Sequence, residues 1–129
     1  MHDFTKLDVW KLAVDLAVAV AQAIPISAGR TAPGLRAQAI RAADRISDAI
    51  AEGCGKSSDW ELARFADIAA GSVTELQNQL VLAVRHEILA REKAKVLWRE
   101  SVVLRKMLYR FQQSVRARAQ AADEKQRRL

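Results

Sequence analysis

Pro33 is the last proline of the chain, and through most of the stretch from there to Val115 apolar residues recur every three or four positions. That spacing places them on one side of an α-helix, and nothing in the stretch removes a helical hydrogen bond or forces a kink. No run alternates apolar and polar residues as a half-buried strand does, and no Asn-Gly pair marks a tight hairpin. The 129 residues fit one domain. Four helices with short connections use nearly all of them, which predicts an all-α fold, a single antiparallel up-down four-helix bundle over residues 1–129.

Local signals place the helices. Asp8 reads as the N-cap of a first helix running to Ile24, with Trp10, Ala13, Val14, Ala17, Ala21 and Ile24 as its buried stripe and Pro25 as its stop. Residues 26–34 read as a loop. A second helix runs from Leu35 to Glu52, where Gly53 is expected as the left-handed residue that closes it. Ser58 and Glu61 form a capping box for a third helix, which continues to about His86 with Phe65, Ile68, Ala69, Ser72, Leu76, Leu80 and Ala83 on one face. A fourth begins near residues 90–92 on Leu97, Leu104, Leu108, Phe111 and Val115. From Arg116 onward the pattern is polar, and residues 116–129 are expected to fray or project as a basic tail.

Half the residues are hydrophobic but only 5% are aromatic, and alanine is abundant. Burial contributes about 25 cal/mol per Å², so an alanine-rich bundle gains less than a leucine-rich one. Self-association is expected to supply part of the stability. Gly71 points the same way: a mid-helix glycine costs about 1 kcal/mol relative to alanine, which close approach of another helix, within the bundle or between subunits, would offset.

The net charge of +6 is concentrated at one end. Residues 105–129 hold eight Lys/Arg and two Asp/Glu, whereas the other 104 residues hold thirteen of each sign. Arg105, Lys106, Arg110, Arg116 and Arg118 are the candidate phosphate contacts on the fourth helix. Only Tyr109 and Phe111 lie among them, so contacts through shape and backbone are expected rather than base stacking. The bland alternative is a solvated helix end whose cations suit the helix dipole.

Catalytic and metal chemistry find little footing. Gly55-Lys56-Ser57 resembles the end of a phosphate-binding loop, but Ile50 stands where that motif needs glycine and the segment follows a helix. No Glu-x-x-His pair occurs, and one cysteine with two distant histidines, His2 and His86, does not make a zinc site. Cys54 is expected in an exposed turn near Lys56, without a positioned base. Arg41, Glu52 and Glu75 are read as inter-helix ion-pair partners. The expectation is a non-enzyme without cofactor or metal. A lone cysteine suits the cytosol, and the apolar run from Leu16 to Ile24 is too short to cross a membrane.

Three blocks share one register: Phe4, Leu7, Val9 and Trp10; then Gln38, Ile40, Arg41, Ala42 and Ile46 followed by Ile50-Ala51-Glu52-Gly53; then Phe65, Ile68-Ala69-Ala70-Gly71-Ser72, Glu75-Leu76 and Gln79-Leu80. Together they resemble the four-helix-bundle proteins encoded in intervening sequences of bacterial 23S ribosomal RNA genes, a family similar to the accessory protein of diversity-generating retroelements. The resemblance covers about Phe4 to Phe111. It implies an up-down bundle that assembles as a homopentameric ring, with a basic surface for RNA or DNA and no enzymatic activity. A protein partner such as a reverse transcriptase is the alternative use of such a ring. Arg41, Glu52, Gly53, Gly71, Ser72 and Glu75 carry over as structural elements. The block before the Ala-Glu-Gly turn commonly reads S-I-x-x-N-I-A-E-G; here Arg45 replaces the serine and Ala49 the asparagine.

Overall fold

A computed structural model describes residues 2–129. Four helices carry the fold: α1 (Asp8–Ala23), α2 (Leu35–Cys54), α3 (Asp59–Arg85) and α4 (Arg91–Arg127). Short 3₁₀ turns at Phe4–Lys6 and Ile26–Arg30 precede α1 and α2, and no strand occurs among the described residues. Each helix packs on its sequence neighbours, and α4 closes the ring against α1. Side-chain contacts show that α2, α3 and α4 run antiparallel in turn. Gln38 meets Gln79 and Arg45 meets Glu75, while Arg116 reaches Asp67 and Arg118 reaches Asp59. The Arg36 guanidinium, at the start of α2, donates to the Ala21 and Ile24 carbonyls at 2.9 and 2.7 Å and ties down the end of α1.

The helix ends follow local chemistry, with corrections. Ile24 leaves the helical region before Pro25 (φ −91°, ψ 113°), as the proline ring demands of its predecessor. Asp8 is not the N-cap. Leu7 occupies that position without a side-chain bond, and Asp8 sits in the first turn, where its charge suits the dipole. The capping carboxylate is Asp3, which accepts from the Thr5 amide and caps the 3₁₀ turn. Ser58 caps α3 as expected, accepting from the Glu61 amide at 3.2 Å, but the Glu61 carboxylate pairs with Arg64 instead of reaching back.

Gly53 also departs from expectation. It lies inside α2, buried, and the residue beyond the helix, Gly55, is right-handed at φ −81°. A Cβ on Gly53 would stand 2.7 Å from Phe65 Cβ and 3.0 Å from Leu62 Cδ1. Its role is the close approach of α2 to α3. The left-handed closing residue falls elsewhere, at Glu87 (φ 60°) after α3. There the Ile88 amide donates to the Ala83 carbonyl at 3.0 Å and the Glu87 amide to Val84 at 2.9 Å, a Schellman closure built on a non-glycine residue.

Twelve of the thirty residues in the buried core are alanine and one, Phe65, is aromatic, so the helices sit close around a thin core whose largest pieces include Leu16, Ile46, Leu76, Leu80, Leu104 and Leu108. α1 buries Val9, Ala13, Leu16, Ala17 and Val20, while Trp10, Val14 and Ala21 are only half-buried. Its buried face is therefore rotated from the expected stripe, taking in Leu16 and Val20 in place of Trp10, Val14 and Ala21. Ile68 is exposed, just off the arc of α3 that its neighbours cover. Gly71 is exposed as well, with nothing within 4 Å of an added Cβ, so no helix of its own chain approaches it.

The C-terminal segment expected to fray from Arg116 continues α4 as far as Arg127. Val115 and Ala119 are buried, and the Trp60 indole donates to the Asp123 carboxylate at 2.9 Å. The acidic residues that hold this end, Asp59 and Asp67, come from α3.

Candidate nucleic-acid interface

Two stripes run side by side along α4. The inner one, Ala94, Leu97, Ser101, Leu104 and Leu108, faces the core. The outer one, Arg91, Lys95, Trp98, Val102, Arg105 and Tyr109, keeps the same alternation of four- and three-residue steps, which stacks those side chains along one side of the helix. It opens onto the seam between α3 and α4 in two adjoining grooves that share Trp98. One, of ≈ 560 Å³, is lined by Gln77, Trp98, Val102, Arg105, Lys106, Tyr109 and Arg110. The other, of ≈ 250 Å³, is lined by Val81, Val84, Arg85, Arg91, Lys95 and Trp98 with Leu80 and Ala94 at its base.

Buried chemistry fixes the seam in place. Gln77, buried on α3, donates to the Ser101 hydroxyl at 3.0 Å, and that hydroxyl donates to the Trp98 carbonyl at 2.6 Å. This chain of bonds locks α3 to α4 beneath Trp98. Above it the aromatic surface is open: Trp98 is 41% and Tyr109 60% exposed. The Tyr109 hydroxyl accepts from Gln113 on the next turn.

The electrostatics are one-sided. Arg85, Arg91, Lys95, Arg105, Lys106 and Arg110 line the two grooves, and no carboxylate does. None of the six has an ion-pair partner within 4 Å among the described residues. Arg105, Lys106 and Arg110 are thus brought together on the seam. Arg116 and Arg118 are not. Arg116 pairs with Asp67 at 3.2 Å beside a Gln112–Asp67 hydrogen bond, and Arg118 pairs with Asp59 at 3.3 Å. Both serve first to fasten α4 to α3. Burial pushes the Asp59 carboxyl up, but its hydrogen bond to Arg118 and that residue's charge, with His2 adding to both, pull it below its ordinary value.

The other candidates resolve as structure. Arg45, not Arg41, pairs with Glu75 at 3.5 Å. Arg41 and Glu52 are exposed and have no ion-pair partner within 4 Å among the described residues. Ser72 is buried and donates to the Ile68 carbonyl one turn back. Cys54 is not in an exposed turn. It is buried in the last turn of α2, its carbonyl accepting from the His2 amide, and burial pushes its thiol up, opposite to what a nucleophile needs. His86 caps the end of α3. No cluster of three His, Cys, Asp or Glu side chains that could hold a metal occurs among the described residues, and no helix there is long and apolar enough to cross a membrane.

Trp98, Val102, Lys95, Arg91 and Arg85 were not among the residues expected from sequence. For all but Arg85, which ends α3, the signal was the outer stripe itself, which is regular enough to read as one face of α4 once the inner stripe is assigned to the core.

A family model described as 23S rRNA-intervening sequence protein matches residues 5–110. The chain belongs to that family. The match takes in Arg105, Lys106 and Arg110 and stops before Arg116, so the free cations of the seam fall within the family's region and the two fastened arginines outside it. No curated protein matches the chain.

Proposed function

We propose that this member of the 23S rRNA-intervening sequence protein family is a non-enzymatic, oligomeric bundle that binds nucleic acid, RNA in preference to DNA, through the cationic seam of α4 in the cytosol. One observation carries the reading: six Lys and Arg side chains line the α3–α4 grooves without a carboxylate among them. Cations so grouped repel one another unless a polyanion shares the surface, and phosphates that displace counterions there gain affinity. The family's description, which names 23S rRNA intervening sequences, favours RNA.

Two features favour the self-association in this reading. The alanine-rich core is thin, and Gly71 and Ile68 stand exposed close together on α3, where a neighbouring subunit's helix could approach as closely as glycine allows. In the five-membered ring that the family resemblance implies, +6 per chain becomes about +30, a long-range attractor for a polyanion.

The test is fluorescence anisotropy of labelled structured RNA, single-stranded RNA and duplex DNA at low salt. The parent chain is compared with one carrying Arg105→Glu, Lys106→Glu and Arg110→Glu. Binding that the triple reversal abolishes supports the proposal. Equal binding by both chains moves the site elsewhere. An intact oligomer that binds none of the probes turns the reading toward a protein-docking ring, for a partner such as a reverse transcriptase. Val96 and Val103, exposed one heptad apart on α4, would be a surface for such a partner.

A further inference from the structure

We infer that the seam takes single-stranded nucleic acid, with bases stacked on Trp98 and Tyr109; this rests on the nucleic-acid reading above and names the substrate class of the same site. Phosphate binding alone needs only the cations. Yet two exposed aromatic side chains, Trp98 and Tyr109, stand among the cations on one side of a continuous helix. They stand eleven positions apart in sequence, which is about 16 Å along the axis. An extended strand bridges that distance in a few nucleotides. Between the rings the floor is apolar at Val102, and Arg105 and Lys106 stand beside it to meet the backbone. The ≈ 560 Å³ groove has room for a base. A paired A-form helix buries its base faces in its own stack and presents sugars and phosphates. Unpaired bases offer their faces, and aromatic side chains accept them with little regard to sequence.

The charge distribution also selects this occupant over a second copy meeting the same seam face to face, since two such surfaces would oppose six unpaired cations with six more.

The full-length chain, with its mass set by light scattering, is titrated into labelled oligouridine and into a duplex of equal length. Tyr109→Ala should weaken oligouridine binding on the order of tenfold, Tyr109→Phe should retain it, and the salt dependence should not change, because no cation is removed. Trp98→Phe should keep most of the affinity and Trp98→Ala lose it, with circular dichroism confirming that each variant is folded. The part of the tryptophan emission that Trp98→Phe removes should be quenched by oligouridine and restored by salt. Retained affinity in Tyr109→Ala and Trp98→Ala alongside loss in the Arg105/Lys106/Arg110 reversal overturns the stacking inference and leaves the polyanion reading standing. Tighter binding to the duplex overturns it as well. A change of assembly mass in Tyr109→Ala assigns the ring to a subunit contact and overturns it. Failure of the parent chain to bind either probe removes the underlying reading itself.

Discussion

Gly53→Ala adds one methyl group where α2 and α3 come closest. The new Cβ would stand 2.7 Å from Phe65 Cβ and 3.0 Å from Leu62 Cδ1, with Leu62 Cα at 3.5 Å. The leucine methyl can swing aside. Phe65 Cβ cannot, because it is fixed to the α3 backbone, so relief requires the two helices to separate. Overpacking of this kind costs about 1–3 kcal/mol, and alanine's better helix propensity returns about 1 kcal/mol. The expected net loss is about 1 kcal/mol, or about 3–5 °C in Tm for a chain of this size. Urea and thermal unfolding followed by far-ultraviolet circular dichroism measure it, at one fixed protomer concentration because the melting of an assembly depends on concentration. Trimming Phe65 to leucine should not rescue the variant, since the offending atom remains, and Ala37→Gly on the exposed side of α2 supplies the propensity scale. A Gly53→Ala chain at least as stable as its parent would refute the close-approach argument.

Three further outcomes are expected. Glu87 closes α3 in the left-handed region at φ 60°, which costs an L-residue about 1 kcal/mol; Glu87→Gly should therefore raise Tm by a few degrees, and a lower Tm would contradict the assigned closure. Ser101→Ala removes the acceptor of the buried Gln77 amide and should destabilise by about 1–3 kcal/mol, whereas Ser101→Ala combined with Gln77→Leu should recover much of the loss in urea unfolding. Gly71→Ala meets no atom of its own chain and should stabilise the dissociated helix by about 1 kcal/mol while lowering the mass of the assembly in light scattering; an unchanged mass contradicts a subunit contact there.

Much of the fold was legible because its signals are local. Pro25 stops α1 and Ser58 starts α3 through chemistry confined to a few neighbours. The stripe of α4 follows from spacing alone at Leu97, Leu104, Leu108 and Val115. The misread positions are those whose role depends on distant partners. Gly53 could serve a left-handed turn or a close contact, and only the position of Phe65 decides between them. Cys54 was placed outside α2 by the same misreading. Residues 116–127 looked like a loose polar end because Asp59 and Asp67, which hold them, lie about fifty residues earlier in the chain. At the candidate site, Arg105, Lys106 and Arg110 were visible as charge. Trp98 was not, because the charge excess from residue 105 onward drew the boundary of the site short of it. The stripe from Arg91 to Tyr109 crosses that boundary and joins the cations to an aromatic surface.

The central claim, that the α3–α4 seam binds a polyanion, is tested most directly by the salt dependence of affinity. Each phosphate neutralised on a single strand contributes about −0.7 to the slope of log K against log salt. If Arg105, Lys106 and Arg110 each meet one phosphate, their reversal should make the slope for single-stranded RNA shallower by about 2 per chain engaged, with affinity falling at every salt concentration. A parent chain whose binding is insensitive to salt, or a reversed chain with an unchanged slope, would contradict the claim.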